Sequence, residues 1–138
     1  NKLIAASLAQ EGIEYIRNMR DTYVLYPVNG IWNDFKNELD SCNSGDKCGF
    51  NTALYIFPLD NDFIKKCASD PNICKVFLRN GTYNTNGDGV DSGFARKIWM
   101  NKFPGNNDEV KIFSEVSWTQ GSRDYTITFS ENLFNWTE

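Results

Sequence analysis

Histidine is absent from these 138 residues. That removes the usual general base of nucleophilic triads and the commonest transition-metal ligand. Also missing is any apolar run of about 18 residues, and with it a transmembrane helix. No charged-and-apolar leader of the secretory kind is visible either. Positive charge is scarce: 14 Lys and Arg stand against 18 Asp and Glu, a net charge of -4, too little for nucleic-acid binding by bulk electrostatics. Arg96, Lys97 and Lys102 fall close together and leave room only for a local basic patch.

What is present describes a folded globule. The hydrophobic fraction is 41% and the aromatic fraction 14%, and the length suits one domain with one core. There is no internal repeat and no low-complexity linker. The four cysteines, Cys42, Cys48, Cys67 and Cys74, form two close pairs whose spacers are longer than those of zinc sites. They are expected to be disulfides, in an oxidising compartment. Of the three connectivities, Cys42–Cys48 with Cys67–Cys74 is favoured, because short loops close most readily. An exported chain without an export signal is expected to be a trimmed one.

Ala5, Leu8, Ala9, Gly12, Ile16, Met19 and Tyr23 recur at three- and four-residue steps and predict a helix over residues 1–23. Its start is not convincing: Asn1 is a candidate cap, but Leu3, Ile4, Ala5 and Ala6 read as the tail of a longer apolar run. Glu14–Arg17 and Arg17–Asp21 have ion-pair spacing on its polar side. Pro27 and Gly30 end it, and Ile31, Trp32, Phe35 and Leu39 predict a second short helix over 31–39. The stretch Cys42–Cys48 reads as a pinned loop. Leu54 and Ile56 read as a strand ended by Pro58. Residues 75–79 and 82–84 flank Asn80-Gly81, a strong hairpin signal. Val110, Ile112, Val116 and Trp118 share one face of a further strand, with Glu109, Lys111, Glu115 and Ser117 on the other. After a turn at Gln120-Gly121-Ser122, Tyr125, Ile127 and Phe129 alternate with Asp124, Thr126, Thr128 and Ser130. This is an antiparallel sheet with one wet face, and the N-terminal helix is the only long element able to cover the other.

The fold expected is therefore α+β: a helical spine over 1–24, a variable disulfide-pinned region over 25–74, and an antiparallel sheet over 75–136.

Two stretches add a family resemblance. Leu8-Ala9-Gln10-Glu11-Gly12-Ile13-Glu14, followed by Arg17-Asn18-Met19-Arg20-Asp21, resembles the helix of bacterial prepilin-type proteins just after their membrane segment. Gly93-Phe94-Ala95-Arg96-Lys97-Ile98, Val116-Ser117-Trp118 and Leu133-Phe134-Asn135-Trp136 resemble the C-terminal part of such proteins. The resemblance to type IV pilins implies a prepilin-peptidase site and an apolar segment with one buried glutamate, neither of which lies within the 138 residues. It implies a subunit anchored in the inner membrane and then built into an extracellular filament, with other pilin subunits and the assembly machinery as partners. Displayed loops (31–49 and 60–92) would meet host-cell or other surfaces. Leu3, Ile4, Ala5, Leu8 and Ala9 would face neighbouring subunits or the head's own sheet. Residues 1–8 are expected to project as a bare stub exposing Leu3, Ile4 and Leu8, with Ile16, Met19 and Tyr23 buried against Val116, Trp118, Ile127 and Phe129. A type II secretion pseudopilin is the neighbouring alternative. A secreted disulfide-stabilised adhesin or carbohydrate-binding module is the alternative from a different class.

Catalytic options are few. Asp60 with Asp62, and Asp108 with Glu109, sit in polar stretches and read as solvated charge, so the chain is expected not to be an enzyme. The loop Asn84-Thr85-Asn86-Gly87-Asp88-Gly89-Val90-Asp91 alternates oxygen side chains as the first half of a calcium loop does, making Asn84, Asn86, Asp88 and Asp91 candidate ligands. Ala95 stands where that loop type needs a bidentate Glu, and a plain Asn-Gly/Asp-Gly turn is the competing reading. No other cofactor is expected. Asn80-Gly81-Thr82 and Asn135-Trp136-Thr137 match the N-glycosylation pattern without an assigned role.

Overall fold

A computed structural model describes residues 1–25, 31–54 and 63–135. Helix α1 (Lys2–Leu25) begins at a real cap: Asn1 Oδ1 accepts from the backbone N–H of Leu3 (3.1 Å) and Ile4 (3.4 Å), which satisfies two of the amides a helix start leaves open. The apolar stripe faces the sheet along the whole helix, with Ala5, Leu8, Ala9, Ile13, Ile16, Met19 and Tyr23 all buried. The polar side differs from expectation in one respect. Arg17 reaches past Glu14 and Asp21 to Glu131 on the last strand (Nε–Oε2 2.8 Å, Nη2–Oε1 2.5 Å). Two parallel hydrogen bonds from a planar guanidinium outcompete a single contact on the helix surface, and Arg20 takes Asp21 instead.

Helix α2 (Trp32–Leu39) buries Trp32, Phe35 and Leu39, spaced three and four apart. The Asp34 carboxylate accepts from Ile31 N–H (2.8 Å), and Trp32 Nε1 donates to Asn107 O (2.6 Å), which fixes α2 to the far end of the sheet. Pro27 and Gly30 lie outside the described residues, as do Ile56, Pro58, Asp60, Asp62, Trp136 and Thr137.

Among the described residues seven strands follow: β1 (Cys48–Phe50), β2 (Ile64–Lys66), β3 (Lys75–Arg79), β4 (Thr82–Asn84), β5 (Val90–Phe103), β6 (Asn106–Gln120) and β7 (Arg123–Phe134). All pair antiparallel. β5 is the central strand. One of its edges carries β6, and β7 lies beyond that. Its other edge is shared in series, with β3 pairing along its first half (Lys75↔Ala95, Leu78↔Val90) and β1 along its second (Cys48↔Ile98). The β3–β4 turn has Asn80 at φ 51° and Gly81 at φ 81°, the doubly positive pattern of a two-residue hairpin.

Leu54, expected on a strand with Ile56, lies in a 3-10 turn, and Ile56 itself falls outside the described residues. Asn51 Oδ1 accepts from Ala53 N–H while Leu54 N–H bonds to Asn51 O, and Thr52–Leu54 closes into a 3-10 turn. An Asn side chain that captures its own downstream amides competes directly with a ladder.

Both disulfides are present, Cys42–Cys48 and Cys67–Cys74. The first ties the exit of α2 to β1. The second ties Cys67, directly after β2, to the end of the 3-10 turn at Pro71–Cys74. The architecture is thus α+β, an N-terminal helix laid on an antiparallel sheet with two local disulfides.

Helix and sheet meet in two apolar clusters. Ile13, Ile16, Met19 and Tyr23 pack with Phe35, Phe50, Ile98, Val110, Ile112 and Leu133. Ala5, Leu8 and Ala9 pack with Val76, Phe94 and Val116, edged by Trp118 and Ile127. This corrects the expected match of helix to sheet. Of the four sheet residues expected there, Phe129 does edge the cluster of Ile16, Met19 and Tyr23, whereas Val116, Trp118 and Ile127 pack with the first turns of α1. Ile16, Met19 and Tyr23 sit further along, over the middle and far ends of the strands.

Candidate functional site

Between the two clusters lies the one deeply buried charge among the described residues. Arg96 on β5 points to the helix side of the sheet, with its side chain 2% exposed. Its Nη1 donates to Leu8 O (3.0 Å) and to Glu11 Oε1 (2.9 Å), and its guanidinium carbon lies 5.0 Å from the centre of the Phe50 ring. Burial pushes the guanidinium below its ordinary pKa, and the Glu11 carboxylate pulls it back up. Gly12 makes the approach feasible. A Cβ there would collide with Ser114 Oγ and sit 3.2 Å from both Ser114 Cβ and Arg96 Cδ. The arrangement pins α1 to β5 and β6 and offers no acid–base pair for chemistry.

The local basic patch for which the sequence left room does not assemble. Adjacent strand residues face opposite sides of a sheet, so Arg96 turns inward while Lys97 faces away, and Lys102 is held by Asp40 across the sheet edge. Asp108 and Glu109 accept from neighbouring asparagine side chains, Asp108 from Asn135 and Glu109 from Asn106 and Asn132.

Of the residues the pilin resemblance assigned to a filament interface, Ala5, Leu8 and Ala9 are buried in the chain's own core and Ile4 packs half-buried against that cluster. Leu3 alone is open, at 84% exposure. The expected bare stub is therefore corrected. The sheet extends beneath the first turns of α1, and Leu8 (5% exposed) is as much core as Ile16. A run of aromatic contacts marks this end, Tyr83 to Phe94 to Trp118 to Tyr125, with centroids 6.0, 6.0 and 5.5 Å apart.

The loop between β4 and β5 brings three of the four candidate calcium ligands together. Asn84 Oδ1 accepts from the N–H groups of Asn86 and Asp88, Asn86 Oδ1 accepts from Asp88 N–H, and Asn84 Nδ2 donates to Asp88 O. Asp88 Oδ1 is taken by Arg79 (2.8 Å), and Asp91 turns away to Gly93 N–H. These oxygens cap the loop's own amides, as turn-forming Asn and Asp do. Melting curves recorded in chelator and in millimolar calcium are expected to coincide. A rise in Tm with calcium would identify the loop as a ligand set after all.

No protein-family model, curated protein or solved structure matches the chain. No helix among the described residues is long and apolar enough to cross a membrane.

The sequence reading missed the Arg96–Glu11–Ser114 seam. The signal was there in the alternation of Phe94, Arg96, Ile98 and Met100, obscured because Trp99 on the opposite face is also buried under Lys47 and against Phe113.

Proposed function

We propose that the chain is the globular head of a type IV pilin-like subunit, a non-enzymatic structural protein anchored in the inner membrane before assembly and displayed on an extracellular filament afterwards. One observation carries this reading. The helix bearing the prepilin-like stretch, residues 8–21, lies along an antiparallel sheet as a spine, and at its first turn Leu3 is left fully in solvent beside a packed core. A large aliphatic side chain held out by a capped, well-packed helix is the kind of feature an interface uses. Two local disulfides suit a head that works outside the cytoplasm.

A second reading has its own observation. Burial of Ala5, Leu8 and Ala9 in the chain's own core favours a secreted, disulfide-stabilised adhesin in which α1 is only core. Leu3 separates the two. In the full-length protein expressed in its own cells, Leu3→Asp is expected to leave the head's stability within about 0.5 kcal/mol of the parent, as for an exposed site. The same substitution should remove the subunit from sheared filaments. Leu8→Ala should instead cost the head about 2–5 kcal/mol as a core truncation. Filaments carrying Leu3→Asp subunits at the parental level, or a chain found only free in the medium, would leave the adhesin reading standing.

A further inference from the structure

Strand β7 pairs with β6 through twelve consecutive residue pairs, from Gln120↔Arg123 to Glu109↔Phe134, without a bulge. Among the described residues nothing pairs with its other edge. Sheet edges are normally blunted by proline, lysine, a bulge or a covering element. β7 contains no proline and no lysine, and Arg123, Asp124, Tyr125, Thr126, Thr128 and Ser130 are all exposed. The edge is long, regular and open.

Its side chains are self-complementary. On the helix side of the sheet the strand reads Arg123, Tyr125, Ile127, Phe129, Glu131, and on the opposite side Asp124, Thr126, Thr128, Ser130. About Ile127 this order is symmetric in chemistry. If a second β7 lies antiparallel with its two-fold axis at Ile127, Arg123 faces Glu131, Tyr125 faces Phe129 and Ile127 faces itself. On the other side Thr126 faces Thr128, and Asp124 faces Ser130. Opposite charges, aromatic pairs and hydroxyl pairs are the cross-strand combinations that stabilise a ladder. Moving the axis to Thr128 sets Arg123 against Leu133 and Tyr125 against Glu131, forfeiting both ion pairs. The pleat forbids a one-residue slip.

The charges are available. Arg123 is exposed and has no ion-pair partner among the described residues, and Glu131 is about one-third exposed. Arg17 donates to both oxygens of that carboxylate, and each oxygen keeps a second lone pair able to accept from another cation. We propose that β7 is the docking edge for β7 of a second copy of this chain, joining two sheets into one across a two-fold axis, with Arg123 of each copy on Glu131 of the other. The contact is isologous and closes on itself. It goes beyond the filament reading and does not depend on it.

Sedimentation velocity of the intact protein over a range up to about 1 mM, which covers weak strand-to-strand contacts, is expected to show a monomer–dimer equilibrium. Arg123→Glu should raise the dissociation constant about tenfold or more, because both ion pairs become like-charge pairs. Its melting curve, recorded at concentrations where the parent is monomeric, should not move, and Arg123→Lys should keep the dimer. Register is read by cysteine pairing at exposed sites. A mixture of Thr126→Cys and Thr128→Cys proteins should form mixed disulfide dimers faster than either protein alone. A monomer throughout the range would overturn the proposal, as would a dimer that Arg123→Glu leaves intact. So would cross-linking of Thr128→Cys with itself as fast as in the mixture.

Discussion

Replacing Gly12 with leucine is expected to destabilise the domain by about 3 kcal/mol or more, the upper range for overpacking a close contact. Gly12 lies where α1 comes nearest the sheet, and the first atom of any side chain already collides with Ser114 Oγ. Ser114 is fully buried on β6, and its Cβ and Arg96 Cδ close the remaining space. Leucine must therefore lift the helix and pull both apolar clusters apart. Alanine is a milder test. It adds the same Cβ but regains about 1 kcal/mol of helix propensity, so the net loss should be small. In a Ser114→Ala background that loss should shrink further. Ser114 Oγ has no hydrogen-bond partner among the described residues, so removing it should itself cost little. The measurement is a double-mutant cycle by chemical denaturation. A Gly12→Leu protein as stable as the parent would mean that the helix does not sit this close.

The second large effect comes from a residue that looks ordinary. Glu11 has a side chain 46% exposed, and a carboxylate in that setting usually contributes little. Here its loss strands a buried cation. Without Glu11, Arg96 keeps, among the described residues, Leu8 O, the face of Phe50 and the nearby Tyr15, and neutral partners do not compensate a desolvated guanidinium. Glu11→Ala is expected to cost about 3 kcal/mol, in the range for breaking a buried pair from one side. Adding Arg96→Met should restore most of it, because the flexible thioether fills the same channel without a charge. If Glu11→Ala proves as mild as a surface substitution, or if Arg96→Met fails to rescue it, the seam is not electrostatic.

The same seam shows where reading from sequence reaches its limit. Arg96 is followed directly by Lys97, with Lys102 close behind, so in one dimension it belongs to a basic cluster. Which of two adjacent strand residues faces the core depends on the register of β5 between three neighbours, a matter of long-range pairing. Leu8 shows the opposite error. Its place on the apolar stripe was plain, and only the extent of the sheet beneath the first turns of α1 moved it from interface to core.

By itself the sequence determined every element whose pattern repeats within a few residues. Helix α1 follows from apolar steps of three and four, α2 from Trp32, Phe35 and Leu39, the 80–81 turn from Asn-Gly, and β6 and β7 from strict alternation. The local disulfides follow from close cysteine pairs. These are short-range consequences of backbone geometry and of one apolar face needing cover. The tertiary structure decided what depends on partners distant in the chain. It made β5 the central strand, although burial on both faces erases its alternation. It also recruited β1 and β2 from a region that looked variable, sent Arg17 to Glu131 instead of its helical neighbours, and turned Arg96 inward. Each of these choices is set by which strands lie side by side, and strand pairing is not encoded in any single window of the sequence.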